Sequence, residues 1–118
     1  MRYMLLIHQG TTPTPHTDEW DRLSEAERGA VYAAYKSINE NPNVTSGVQM
    51  QPPETATTVR VQDGQTLTTD GPFVEVKEAI GGYLFLDAPD LDTAVELAAQ
   101  IPAASMGGAI EVRPLAGG

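Results

Sequence analysis

The run YMLLIH at residues 3–8 predicts a β-strand at the centre of the fold. Its apolar residues follow one another without polar alternation, which is typical of a strand covered on both faces. A second run of this kind, GGYLFL at residues 81–86, is bounded by Asp87 and Pro89. We therefore expect these two strands in the middle of one sheet.

Two segments between and after these strands have helical periodicity. The sequence SEAE at residues 24–27 has the form of a capping box, so a helix begins at about Ser24 and ends before the Asn-Pro-Asn sequence at 41–43. Its apolar stripe consists of Leu23, Ala30, Val31, Ala34 and Ile38. A second helix is predicted over about 91–101, after the capping residue Asp90. Its stripe consists of Leu91, Ala94, Val95, Ala98 and Ile101.

Shorter strand signals fill the remaining segments. Residues 44–50 predict a short or edge strand, because they contain Gly47 and are followed by two prolines. Residues 57–69 predict a hairpin, in which the Asp63-Gly64 pair forms the turn. Residues 109–113 alternate apolar and charged side chains, which indicates a last strand with one solvent-facing side.

This order of elements predicts one α+β domain over residues 1–118. It contains the ferredoxin-like βαββαβ arrangement, with an antiparallel sheet and a hairpin inserted in its middle. Right-handed crossovers would place both helices on one face of the sheet, so the chain has no cover for the other apolar face. An uncovered apolar face marks an interaction surface, and we expect a homodimer that pairs two sheet faces.

Composition excludes several classes of function. The chain has 16 acidic and 7 basic residues, giving a net charge of -9, so we expect neither nucleic-acid nor membrane binding. It has no cysteine and only two histidines, and no Gly-rich phosphate loop, so we expect no metal site and no cofactor. The apolar run at 3–8 is too short for a secretory signal peptide, and a cytoplasmic location fits these features.

The sequence DGPF at residues 70–73 is the most distinctive motif in the chain. It is accompanied by further landmarks: Gln51-Pro52-Pro53, Asp63-Gly64, Lys77-Glu78, Gly81-Gly82-Tyr83, Ala88-Pro89-Asp90-Leu91, Ile101-Pro102-Ala103 and Glu111-Val112-Arg113-Pro114. In this order and spacing the chain resembles the YCII-related (DGPF) family over nearly its whole length. The resemblance implies a ferredoxin-like fold that dimerises through its sheets, as in the dimeric α/β-barrel superfamily, which includes small isomerases and cofactor-free oxygenases.

The candidate catalytic residues are Asp70, His8 and Lys77. For some relatives a histidine at the start of the first helix, paired with an aspartate, has been suggested as catalytic, and this sequence has no histidine there. Asp70 could act as a base at the mouth of a groove between the sheet and the loop Gln9–Arg22, within reach of His8 or Lys77. The alternative, favoured because turn-forming aspartates greatly outnumber catalytic ones, is that Asp70 holds the following Gly-Pro turn by accepting backbone N–H groups.

Candidate ligand-binding residues are Phe73, Glu78, Tyr83 and Trp20. Aromatic side chains that could line an apolar pocket, or form the core, are Trp20, Tyr32, Tyr35, Phe73, Tyr83 and Phe85.

Two hypotheses about the function follow. One is a cofactor-free enzyme that acts on a small organic molecule in a groove at the sheet. The alternative is a non-catalytic module that binds a small ligand or regulates a partner, which the resemblance links to extracytoplasmic-function sigma factors.

Overall fold

The computed structural model describes residues 1–15, 17–71 and 80–117. The strands and helices are β1 Arg2–His8, α1 Asp18–Asp21, α2 Glu25–Glu40, β2 Val44–Gln49, β3 Thr57–Gln62, β4 Gln65–Asp70, β5 Ile80–Asp87, α3 Leu91–Ala98 and β6 Ala109–Pro114. Short 3₁₀ turns cover Pro53–Thr55 and Pro102–Ala104. Within these described ranges, no helix is long and apolar enough to cross a membrane.

Four strands form one antiparallel sheet in the order β2-β5-β1-β6. In the middle of β1, Leu5 is paired with Leu84 of β5 on one side and with Val112 of β6 on the other. The prediction that both apolar runs are central is therefore confirmed, and residues 44–49 form an edge strand as expected. The chain has an α+β fold with an antiparallel sheet, and this strand order is compatible with a ferredoxin-like fold.

One face of this sheet carries the hydrophobic core. Alternate residues of β1 point to it, and these are fully or nearly fully buried: Tyr3, Leu5 and Ile7. Ile38 of α2 and Leu97 of α3 pack against them, so both helices contribute to the same core. A fully buried aliphatic side chain of this size contributes about 1.5–3 kcal/mol. The opposite face of the sheet is called here the open face.

The capping box at the start of α2 is present as predicted. The Ser24 hydroxyl accepts a hydrogen bond from the Glu27 N–H at 3.1 Å, and the Glu27 carboxylate accepts from the Ser24 N–H at 2.9 Å. Hydrogen bonding of the Glu27 carboxylate to the Ser24 backbone first, and to the Ser24 side chain second, holds the pKa of Glu27 below its usual value. Among the described residues of α2, Ile38 is the one that is fully buried.

The apolar stripe predicted for α3 is partly wrong. Leu91 and Val95 are exposed, whereas Leu97, which lay outside the predicted stripe, is buried. The helix also ends at Ala98 instead of continuing to Ile101. Hydrogen bonds between residues three apart, such as Ile101 N–H to Ala98 O, tighten its end before Pro102, which has no N–H with which to continue it.

Strands β3 and β4 pair with each other in a two-stranded sheet of their own. The turn between them has positive φ at both Asp63 (52°) and Gly64 (76°), which is the geometry of a two-residue type I′ turn. Val59 and Val61 of this hairpin are 58% and 68% exposed. The molecule measures 51 × 41 × 19 Å, and its radius of gyration of 16.2 Å exceeds the value of about 13.5 Å typical of a compact domain of this length.

Candidate functional site

A cavity of about 320 Å³ lies between α2 and the core face of the sheet. It is bounded by the ends of β1, β2 and β5, by α2, and by the loop that follows β1. The apolar part of its lining comprises Ile7, Pro13, Pro15, Trp20, Val31, Tyr32, Tyr35, Val48, Leu84, Pro102 and Met106. The stripe of α2 is thus divided, since Ile38 enters the core while Val31 faces the cavity.

The aromatic wall of the cavity is built by α1 and α2. Thr17 caps the short helix α1, its hydroxyl accepting a hydrogen bond from the Trp20 N–H at 3.2 Å. The Trp20 ring lies beside Tyr32, with ring centroids 5.5 Å apart and planes at 78°. Trp20 is only 6% exposed. Tyr35, one turn further along α2, has its pKa raised by burial, so its hydroxyl stays protonated at neutral pH.

The loop at the cavity edge is attached to the segment before β6. The Thr11 N–H donates to the Gly107 carbonyl at 3.1 Å, and the Thr12 N–H donates to the Gln9 carbonyl at 2.9 Å. Gly10 has φ of +56°, and a Cβ there would lie 2.2 Å from the Gly107 oxygen. This close approach of two backbones therefore requires glycine at position 10.

The polar lining consists of uncharged groups. Gln9, Asn39 and Gln49 contribute side-chain amides, and none of the three amides is hydrogen-bonded to another described residue. Among the described residues that line the cavity there is no Asp, Glu, Lys, Arg or His. The cavity can therefore offer hydrogen bonds and aromatic contacts to a ligand, but the described lining contains no general base that titrates near neutral pH.

His8 lies on the open face, because side chains alternate along β1 and its neighbour Ile7 faces the cavity. The His8 Nε2 atom is 3.2 Å from Glu111 Oε1 of β6. Arg113 donates a hydrogen bond to the other oxygen of the same carboxylate. The His8 bond first, and Arg113 second, hold the pKa of Glu111 below its usual value.

Glu111 was missed as a site residue by the sequence analysis. The signal was available, because the alternation of β6 places Glu111 and Arg113 on the face opposite to Ile110 and Val112. Pairing of β6 with β1 then sets Glu111 in the same part of the open face as His8. The amides of Gln9 and Asn39 were missed as well, and no local sequence pattern distinguishes them from other surface amides.

Two predicted ligand-binding residues lie on opposite faces of the sheet. Trp20 lines the cavity, whereas Tyr83 lies on the open face beside Phe85, with ring centroids 5.9 Å apart and planes at 73°. The Arg2 guanidinium lies 5.2 Å from the centre of the Phe85 ring. Ligand contact by Trp20 or Tyr83 stays a prediction, and a single small molecule cannot touch both.

Asp70 ends β4 in the hairpin, is exposed, and is not among the residues that line the cavity. The backbone of the next residue is held by other groups: the Gly71 N–H donates to Ala56 O, and the Thr58 hydroxyl donates to Gly71 O, both at 2.7 Å. A role for Asp70 in catalysis or in the turn stays a prediction.

Three further predicted residues, Phe73, Lys77 and Glu78, lie outside the described residues, as does His16. Over the described ranges, no group of three or more His, Asp or Glu side chains is arranged to hold a metal ion.

Comparison with known proteins gives one family and one relative of note. The model of a family described as YCII-related domain matches residues 1–116. An uncharacterised protein of Rhizobium meliloti (strain 1021) is 39% identical over 69 residues, which is 58% of this chain. The matched region spans 56% of the length of that relative.

Proposed function

Because the chain belongs to the YCII-related domain family and has a cavity beside α2, we propose that it binds a small, uncharged organic molecule there. The observation that carries this proposal is the lining, which combines aromatic walls with amide groups and has no charged side chain among the described residues. A charged ligand would lose its hydration without gaining a counter-charge. The volume of about 320 Å³ is within the range of small-molecule sites.

Trp20 provides a direct test, because it is the only tryptophan of the chain and its ring lines the cavity. We expect neutral aromatic compounds from a fragment panel to change its fluorescence in a saturable way. Tyr32→Ala should weaken this binding by about 2- to 12-fold, since one aromatic contact contributes about 0.5–1.5 kcal/mol. Val95→Ala, on the exposed side of α3, is the matched control and should leave affinity unchanged.

Saturable binding that is insensitive to Tyr32→Ala but lost in Tyr83→Ala would move the ligand site to the open face. Absence of saturable binding by any neutral compound would remove the proposal.

A catalytic function is the second candidate, favoured by the His8–Glu111 hydrogen bond. A carboxylate beside a histidine holds the imidazole ring in one orientation, which a positioned general base requires. Such chemistry would take place on the open face, with Glu111 in the position of the acidic partner. It predicts conversion of a compound by the wild-type protein, detectable by mass spectrometry, that is lost in His8→Gln.

We propose that the partner of this chain is a second copy of itself, with the two open faces packed together. Tyr83 and Phe85 are half-buried on a face that neither α2 nor α3 covers. A second copy would complete the burial of these rings. Regulation of another protein, such as a sigma factor, is part of the ligand-binding proposal, because binding of the ligand could change the affinity of the chain for that protein.

A further inference from the structure

We infer that the cavity selects a planar ring whose edge carries a hydrogen-bond donor next to an acceptor, as a cyclic amide does, and that Asn39 and Gln9 read this edge. The inference rests on the proposed function and adds the chemical class of the ligand. It makes Asn39 and Gln9 specificity-determining residues, which approach the cavity from two directions: Asn39 from α2 and Gln9 from the loop after β1.

The first observation concerns two glycines in the cavity lining. A Cβ at Gly47 would lie 2.8 Å from the Asn39 Oδ1 atom, and a Cβ at Gly81 would lie 2.4 Å from the Gln9 Nε2 atom. Both amides thus lie directly over a strand backbone, in space that any other residue at 47 or 81 would occupy. Neither glycine has positive φ, so backbone conformation does not demand glycine at either position. What both glycines provide is room for an amide.

The second observation is the free hydrogen-bonding capacity of these amides. No hydrogen bond joins the side chain of Gln9 or Asn39 to another described residue. Each amide offers a carbonyl acceptor and an NH₂ donor side by side. Such a group makes two parallel bonds with an edge that presents a donor next to an acceptor, as asparagine and glutamine do with adenine. A ligand with only a donor or only an acceptor would leave either the NH₂ group or the carbonyl group of the amide without a hydrogen bond.

The third observation is the character of the walls. Trp20 and Tyr32 offer flat apolar surface, which favours a planar ring over a flexible chain. The described lining has no ionisable group with which to pair a carboxylate or an ammonium. A neutral cyclic amide fused to an aromatic ring meets both conditions, because its polar edge is uncharged.

The test uses three rings of the same size: quinolin-2(1H)-one, its N-methyl derivative, which lacks the donor, and naphthalene, which lacks the whole edge. Calorimetric titration of the full chain should show at least tenfold tighter binding of quinolin-2(1H)-one than of the other two. Asn39→Leu should abolish this preference, because only quinolin-2(1H)-one pairs with the amide, while naphthalene should still bind. Gly47→Ala and Gly81→Ala, which displace an amide without removing it, should reduce the preference as well.

Gly29→Ala is the matched control, since a Cβ at this position of α2 meets no atom within 4 Å and should leave all three affinities unchanged. Equal affinities of the wild-type protein for the three rings would overturn the inference while leaving the proposed cavity ligand in place. A preference that survives both Asn39→Leu and Gly81→Ala would overturn it too. If no neutral ring binds, both the inference and the proposed function fail.

Discussion

Gly81 and Gly82 are adjacent residues of β5, but a side chain would meet different obstacles at each. A Cβ at Gly82 would lie 2.4 Å from the Val48 carbonyl oxygen, which belongs to the backbone of the neighbouring strand. The three atoms nearest to a Cβ at Gly81 all belong to the Gln9 side chain, which would have to rotate about its Cα–Cβ bond to relieve the overlap. Glycine is therefore needed at 82 for strand pairing and at 81 for the position of an amide.

We predict that Gly82→Ala destabilises the protein by about 1–3 kcal/mol, because β2 must move away from β5 to relieve the overlap. Gly81→Ala should cost about 0.5 kcal/mol or less, since a flexible side chain yields. Urea denaturation of both variants measures the difference. Equal losses of stability in the two variants would contradict the argument that backbone overlap at Val48 costs more than side-chain overlap at Gln9.

Individual site residues could be predicted from the sequence only where residue type carried the signal. Trp20 was predicted as a ligand contact and lines the cavity, because large aromatic side chains favour such positions. Its predicted companions His8 and Tyr83 lie on the other face, which follows from alternation along strands once the register is known. The register of a strand pair depends on contacts between residues far apart in the chain, so no local sequence pattern predicts it.

At the scale of elements, the hairpin differs from the rest of the fold. β3 and β4 bond to each other over 57–70, and no strand of the four-stranded sheet pairs with them. An isolated two-stranded hairpin has marginal stability in water. Its turn has positive φ at Asp63 and Gly64, so the turn residues carry much of its preference for this conformation.

We predict that Gly64→Ala loosens the hairpin without unfolding the protein, because alanine is strained at φ of 76°. Amide hydrogen exchange should accelerate at Val59 and Val61, while amides of β1 and β5 keep their protection. Gly29→Ala serves as the control, since that position is open and helical. Faster exchange throughout β1 in Gly64→Ala would indicate that the hairpin and the main sheet unfold as one unit.

Elements whose ends or turns are determined by a few adjacent residues could be predicted from the sequence. Elements whose ends or buried side depend on tertiary packing could not. The capping box of α2 and the Asp-Gly turn are complete within four and two residues, so the sequence alone indicates them. The end of α3 and its buried side depend on how Leu97 fits against the sheet. Leu91 and Val95 match the helical period equally well, and tertiary packing decides between the two stripes.

At the scale of the whole molecule, the two faces of the sheet have different roles. The core face packs α2 and α3, and holds the cavity at one end. The open face combines the Tyr83 and Phe85 rings with the charged groups of Arg2 and Glu111. Apolar rings flanked by charged side chains are typical of protein interfaces, where the polar rim surrounds an apolar centre.

We predict a mass of twice 12.6 kDa by light scattering at micromolar concentration, with about 1,200 Å² or more buried between two open faces. Phe85→Glu should reduce the mass to that of one chain, because it would bury an unpaired charge between two sheets. Val95→Glu, on the exposed side of α3, should leave the mass unchanged. A single-chain mass for the wild-type protein would contradict the proposed homodimer.

The position of β1 between β5 and β6 has a consequence for synthesis of the chain. His8 pairs with Ala109, about 100 residues later, and Leu5 pairs with Leu84. At roughly 5–20 residues per second, the ribosome leaves the apolar run 3–8 without its partner strands for on the order of 5–20 s. The hairpin, whose partners are close in sequence, can form within microseconds of emerging. Nascent chains should therefore expose β1 to chaperones until β5 and β6 have emerged, and bury it only then.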